Sequence, residues 1–321
     1  MSAERGSTGL SGIIAVDKPV SLTSHDVVNR IRRLSGEKRV GHCGTLDPAA
    51  TGLLLVCVGP ATRLSDYLSA QRKSYVARIS FGVATDTDDA TGSIIKTCPV
   101  PSALAEADFA RAHLAGKRGA QEQIPPQYSA IRRQGVRAYE AARRGQTPLL
   151  VPRKIEVYAA DLLEVFEDDL VHWDVAFEVS KGTYIRSLAR DLASGLDTCG
   201  HLSALRRTKS GSIGLEHAFS LEQIADAVSE GSISSCFINP IEALDLPTYE
   251  LDEKQHGLVV NGCHLSALNS TTDQMMHAAN LVACTWQNEL LALYRFDALH
   301  EDWRAHVVIP GGVKEGMYVR R

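Results

Sequence analysis

The stretch His42-Cys43-Gly44-Thr45-Leu46-Asp47-Pro48-Ala49-Ala50-Thr51-Gly52-Leu53-Leu54 is the most informative part of this chain. Two glycines and a proline within residues 41–48 make that segment a loop. The unbroken apolar run Leu53 to Val58 that follows reads as a buried strand. Pro48 biases Asp47 toward an extended backbone, and the flanking glycines admit close approach of another backbone. A carboxylate displayed in this way serves as a nucleophile or a base. Taken alone, Leu-Asp-Pro is more often an Asx turn that opens a helix.

Upstream, Ile13 to Val16 reads as a short buried strand stopped by Lys18-Pro19. Thr23 or Ser24 then caps a helix carrying Val27, Ile31 and Leu34 on one face. Downstream, Tyr75, Ala77, Ile79 and Phe81 alternate with polar neighbours, which predicts a half-buried strand over 74–82. An acidic turn at 85–92, a helix over 102–115, an extended Pro-rich segment at 124–131 and a basic helix over about 135–145 follow. Alternation returns over 171–179. Gly182-Thr183-Tyr184 leads into a helix with Ile185, Leu188, Ala189 and Leu192 on one face. Residues 221–244 read as helix then loop, and short strands at 281–286, 290–296 and 306–309 predict a small terminal β module.

The 321 residues are 44% hydrophobic and 22% charged, an ordinary globular composition. No apolar run approaches the ~20 residues a membrane span requires, and no signal-peptide core precedes Asp17, so a cytoplasmic protein is expected. Seven scattered cysteines without a CxxC pair fit a reduced setting. Charge is divided: residues 1–154 carry +9 and residues 155–321 carry −13. The segment 117–154 holds nine basic residues, among them Arg132, Arg133, Arg137, Arg143 and Arg144, against two acids. A polyanion would meet this half. There is no Walker loop, GxGxxG, HExxH or GxSxG, which removes the nucleotide, zinc-protease and α/β-hydrolase readings that those motifs carry.

The quoted stretch resembles the HxGTLDPxATGLL motif of the bacterial TruB family of tRNA pseudouridine synthases, matching it at every specified position. Further segments resemble that family too: Gly12 to Pro19 with Thr23-Ser24, Lys73-Ser74-Tyr75, Gly82 to Gly92, Gln123 to Ala130, Lys181 to Leu188, and Leu205-Arg206-Arg207. Together they span about residues 12–210, and the tail from about 245 resembles the family's PUA-like module more loosely.

The resemblance implies an α+β fold, with a mixed, largely antiparallel sheet flanked by helices and a small all-β C-terminal module. It divides the chain into a tail (1–11), a catalytic domain (12–244) and the PUA-like module (245–321). It implies isomerisation of uridine 55 in the tRNA T-arm to pseudouridine, with tRNA as partner, no cofactor or metal, no obligate protein partner and a monomeric enzyme. The implied catalytic residues are Asp47, Tyr75 and Arg186, with Arg186 pairing with Asp47. Asp47 either adds to C1′ or C6 or promotes a glycal, and the sequence leaves these open. His42 is implied to fill the space of the flipped nucleotide. Tyr184 and Leu205 line the base pocket, Tyr128 stacks on a T-loop base, and Arg132 and Arg133 grip phosphates. Without the resemblance, Tyr75 reads as a core strand residue and Arg186 as a helix-surface arginine. A tRNA-folding factor that needs no chemistry, a guide-RNA-dependent synthase and a hydrolase built on Asp47 are the competing readings.

Overall fold

The computed structural model describes residues 8–128, 132–133, 136–137, 150–265 and 280–313. They divide into two compact units, one formed by the chain up to residue 71 and from 209 onward, the other by residues 72–208.

In the first unit, β1 (Gly12–Lys18) and β2 (Val40–His42) both pair antiparallel with β3 (Thr51–Val58). Every β1 residue but Asp17 is buried, because this strand is covered on both faces. The helix Ser24–Ser35 begins at Thr23, whose side chain accepts from Asp26 N while Asp26 reciprocates on Thr23 N. Asp26 is held below its ordinary carboxyl range by those Thr23 hydrogen bonds. The helix ends at Gly36, which adopts φ 67°, a conformation that favours glycine. Val27, Val28 and Ile31 face the core, at about 1.5–3 kcal/mol each for full burial of a large apolar side chain.

The C-terminal part of this unit contains a four-stranded sheet. There β14 (Thr248–Glu250) pairs parallel with β15 (Leu281–Trp286), followed by antiparallel β16 (Glu289–Asp297) and β17 (Asp302–Val313). The helix Glu253–Val260, capped by Asp252, lies between its first two strands in sequence. One face of this sheet (Ala283, Leu293, Ile309) joins Ile13, Leu53 and Leu55 in a shared core. The other face (Val282, Cys284, Tyr294, Trp303) packs with Tyr249 and Val259.

In the second unit the strand order is β12 (Gly200–Ser210), β4 (Lys73–Phe81), β11 (Val171–Val179), β10 (Arg153–Glu167), β7 (Gly119–Gln123). β4 and β11 run antiparallel from Lys73↔Val179 to Ser80↔His172. Trp173 is fully buried; its indole donates to Leu104 O at 2.8 Å, and its ring meets Phe81 edge-on at 4.8 Å. The hairpin β5 (Val83–Thr85) and β6 (Ile94–Thr97) encloses the acidic turn.

Several expectations need correction. The 102–115 helix is a 3-10 turn, Ser102–Ala105, followed by an α-helix Ala107–Ala115. Within the expected basic helix, Val136–Arg137 forms a strand paired with Arg132–Arg133, and residues 138–149 lie outside the described residues. β7 and β10 carry no clean alternation: β7 is polar, and β10 is bulged twice against β11. The cysteines are not all reduced, because Cys98 and Cys199 form a disulfide that ties the exit of β6 to the start of β12.

Candidate active site

The 41–52 loop belongs to the first unit. β2 brings His42 opposite Val56, and Cys43 N then donates to Leu55 O at 2.8 Å. Gly44 turns the chain at φ 99°. Beyond it, Leu46 N donates to Ser24 Oγ at 2.8 Å, and the Ser24 hydroxyl donates to Leu46 O at 3.1 Å. On the far side, Ala50 N donates to Asp47 O at 3.1 Å and Ser21 N to Pro48 O at 2.8 Å. Lys18 is wholly buried. Its Nζ donates to Pro19 O at 2.9 Å and Leu22 O at 2.8 Å, and reaches Pro48 O at 3.5 Å. A buried ammonium is tolerated only when its donors meet acceptors in this way. Leu46 and Ala50 are buried while Asp47 is half-buried, so its carboxylate is presented from a backbone held on both flanks. Behind the loop, Cys43 and Cys57 lie with their Sγ atoms 3.4 Å apart. The contact with Cys43, then burial, pushes the Cys57 thiol well above its ordinary value, which leaves it unreactive.

In the second unit, the helix Ile185–Ser194 gathers two segments that are distant from it in sequence, 87–89 and 123–128. Gln123, almost fully buried, clasps its start: Tyr184 N donates to Gln123 Oε1 at 2.8 Å, and Gln123 Nε2 donates to Tyr184 O at 3.0 Å. Ser187 Oγ donates to Ile124 O at 2.9 Å. Arg186 is 5% exposed. Its Nη1 donates to Thr87 O and its Nη2 to Tyr128 O, both at 3.0 Å, and its Nε lies 3.7 Å from the Asp89 carboxylate. One turn later, Arg190 donates to the Asp88 carboxylate at 2.8 Å and to Ile124 O at 2.9 Å. Burial lifts the Asp88 carboxyl above its ordinary range, outweighing the opposing pull of Arg190 and Arg186.

The other acids of the turn are engaged within the turn itself. Asp86 accepts from Ser93 N, and Asp89 accepts from Thr91 N and from the hydroxyls of Thr87 and Thr91. No group of three or more metal-ligating side chains is poised for an ion among the described residues.

The other sequence candidates lie in the second unit. Tyr75 is nearly buried on β4 opposite Phe177. Leu205 is half-buried on β12. Tyr184 is half-buried, with the Arg153 guanidinium 5.2 Å from its ring centre. Tyr128 is half-buried at the end of the Pro-rich segment. Arg132 and Arg133 form β8, paired with Arg137 and Val136 of β9. Arg143 and Arg144 lie outside the described residues. The structure thus joins Arg186 to the backbone of Tyr128 and to the acidic turn. Sequence reasoning missed Lys18, Ser24, Gln123 and Arg190. Lys18, a charge at the end of an apolar strand and directly before Pro19, is the one with a readable signal.

A second polar chain also stands in this unit. The Ser80 hydroxyl lies 2.8 Å from His172 Nδ1, and His172 Nε2 lies 2.8 Å from Asp168. The distances suit a hydrolase triad, but Ser80 is 1% exposed and its hydroxyl also bonds to Ser203 Oγ. A nucleophile must reach its substrate, so this chain is a strut between strands.

Residues 32–185 match the family model described as TruB family pseudouridylate synthase (N terminal domain), and residues 186–244 match the one described as tRNA pseudouridylate synthase B C-terminal domain. A relative from Mycobacteroides abscessus named tRNA pseudouridine synthase B is 43% identical over 77% of this chain and 83% of its own. A Streptococcus mutans relative of the same name is 38% identical over 88% of this chain and 94% of its own. Among solved structures, a Cbf5-Nop10-Gar1 complex contains a chain with a TM-score of 0.62 and 26% identity, covering 93% of this chain and 83% of that one. The archaeal box H/ACA sRNP Nop10-Cbf5 complex shares the fold at a TM-score of 0.61 and 23% identity, covering 93% of this chain and 85% of that one. By sequence and by fold, the chain belongs to the TruB family of pseudouridylate synthases.

Proposed function

We propose that the protein converts uridine 55 in the T-arm of tRNA to pseudouridine. The observation that carries this reading is Asp47, half-buried at the centre of a loop whose backbone is fixed on both flanks. In the reaction the C1′–N1 bond breaks, the base turns, a C1′–C5 bond forms, the C5 proton passes to solvent and N1 takes up a proton in its place. Atoms are otherwise conserved, so neither a redox cofactor nor ATP enters the balance.

Asp47 is the group that engages the sugar or the base. Arg186 and Tyr75 complete the catalytic set, Tyr75 by stacking on the target base. The target must leave its stack, at a cost of a few kcal/mol. His42 occupies the space it vacates, while Tyr184 and Leu205 receive it. Tyr128 stacks on an exposed T-loop base, and Arg132 and Arg133 contribute phosphate contacts that steer binding. The protein acts as a cytoplasmic monomer without a protein partner, its domains divided at 11/12 and 244/245.

The test is tritium release from a [5-³H]uridine tRNA transcript, without metal or nucleotide, by wild type and Asp47→Asn. Release by wild type alone, with both proteins binding tRNA, supports the reading. Binding without release by wild type overturns it in favour of a folding factor or a synthase that requires a guide RNA.

A further inference from the structure

We infer that Ser24 is a positioning residue for this reaction, holding the Asp47 loop through a double hydrogen bond; the inference rests on the reading of Asp47 given above. Ser24 is the first residue of the helix Ser24–Ser35 and is 2% exposed. Its hydroxyl is not needed as a cap. Thr23 already accepts from Asp26 N, and Asp26 returns the bond. The Ser24 hydroxyl instead spans 22 residues of sequence to Leu46, accepting from its N–H at 2.8 Å and donating to its C=O at 3.1 Å.

Both peptide planes of Leu46 are therefore anchored to one oxygen. The second of those planes ends at the Asp47 nitrogen, so it sets the axis from which the Asp47 side chain hangs. Beyond Asp47, Ala50 N and Ser21 N fix the next two carbonyls. Without the hydroxyl, a buried N–H and a buried C=O would lose their partner, and the loop would move to satisfy them. A shift of about 1 Å at a reacting group costs on the order of 10²-fold in rate. The effect belongs in turnover, because none of these atoms contacts phosphates or bases in the proposed binding surface.

Three variants test the inference by tritium release under steady-state conditions, alongside thermal melts and tRNA binding. Ser24→Ala is expected to lower kcat by about 10- to 100-fold, with KM and tRNA affinity within about threefold of wild type. Ser24→Thr, which keeps the hydroxyl, is expected to recover most of that loss. Thr23→Ala removes the true cap and destabilises the same helix, yet is expected to keep kcat at temperatures where it is folded.

The inference is overturned if Ser24→Ala turns over like Thr23→Ala at matched stability, or if Ser24→Thr is as slow as Ser24→Ala. Asp47→Asn run in parallel separates the two failures. If it keeps turnover, the reading of the loop falls and the inference with it. If it is inactive while Ser24→Ala is normal, only the Ser24 assignment falls.

Discussion

The Asp47 loop and the Ile185–Ser194 helix solve the same problem, holding irregular backbone in place, with opposite chemistry. Among the bonds described, a neutral hydroxyl, a buried ammonium that reaches Pro48 O and main-chain bonds hold the loop. In the loop those bonds fall on peptide N–H and C=O groups. The helix is held by guanidinium groups that bind carbonyls and acids from two distant segments. Asp88 is taken up by that holding, and Asp89 lies 3.7 Å from Arg186. One arrangement fixes a carboxylate-bearing loop through its peptides, whereas the other spends carboxylates on architecture. The number of acids in a motif is therefore a poor guide to where chemistry lies.

The sharpest way to break this comparison is to exchange acids for amides in both places. Asp47→Asn is expected to reduce tritium release by roughly 10³-fold or more with little change in the melting curve. Asp88→Asn is expected to leave measurable turnover and to lower stability instead. Equal losses of rate from the two would erase the distinction.

Next in size is Arg190→Ala, which removes the Asp88 pair and the bond to Ile124 O. Arg190 is about one-third exposed, so solvent screening limits the loss to about 1–2 kcal/mol, below the ~3–5 of a fully buried pair. Urea unfolding measures it. An unchanged midpoint would show that the helix does not depend on this arginine.

The basic segment supplies a third comparison. Replacing Arg132, Arg133 and Arg137 with alanine is expected to flatten the log–log salt dependence of tRNA binding by about 0.7–0.9 for each phosphate no longer neutralised. Unchanged slopes would place the grip elsewhere.

A smaller effect concerns pH. Burial would raise the Glu37 carboxyl, but hydrogen bonds from Arg39 N, Thr8 N and the Thr8 hydroxyl outweigh it and hold Glu37 below its ordinary 4.5. An acid depressed in the folded state stabilises fully above its unfolded value and loses that contribution as pH falls through the folded value. Exchange protection of the Thr8 amide is therefore expected to persist at pH 6 and to be lost only on acidification below the ordinary carboxyl value of 4.5, whereas pH-independent protection would show that Glu37 does not anchor this segment. Smallest of all, thiol titration of the unfolded, unreduced protein is expected to find the five free cysteines, 43, 57, 236, 263 and 284.

Much of the fold could be read from the chain because the relevant signals are local. The apolar run 53–58, the alternation at 73–81 and 171–179, and the Thr23 cap each report their own element, since strand and helix periodicity place side chains on a face irrespective of what lies opposite. β7 and β10 were not readable in this way. Gly-Ala-Gln-Glu-Gln has no apolar face, and becomes a strand because β10 offers it a ladder from Arg153↔Gln123 to Val157↔Gly119. The 102–115 segment misled because its apolar spacing suits one helix, yet Glu106 is extended and splits it.

The candidate site divides along the same line. By itself the sequence determined that Asp47 sits in a glycine-flanked loop before a buried strand, because Pro48 restricts the backbone at Asp47 and the glycines admit turns closed to other residues, whatever surrounds them. Only the tertiary structure decided that Ser24 holds Leu46, that Lys18 is sealed beneath Pro48, and that Arg186 and Arg190 bind Thr87 O and Asp88 of the acidic turn. Those are bonds between segments up to about a hundred residues apart, and hydrogen-bond partners over such separations are chosen by packing, which no local pattern encodes.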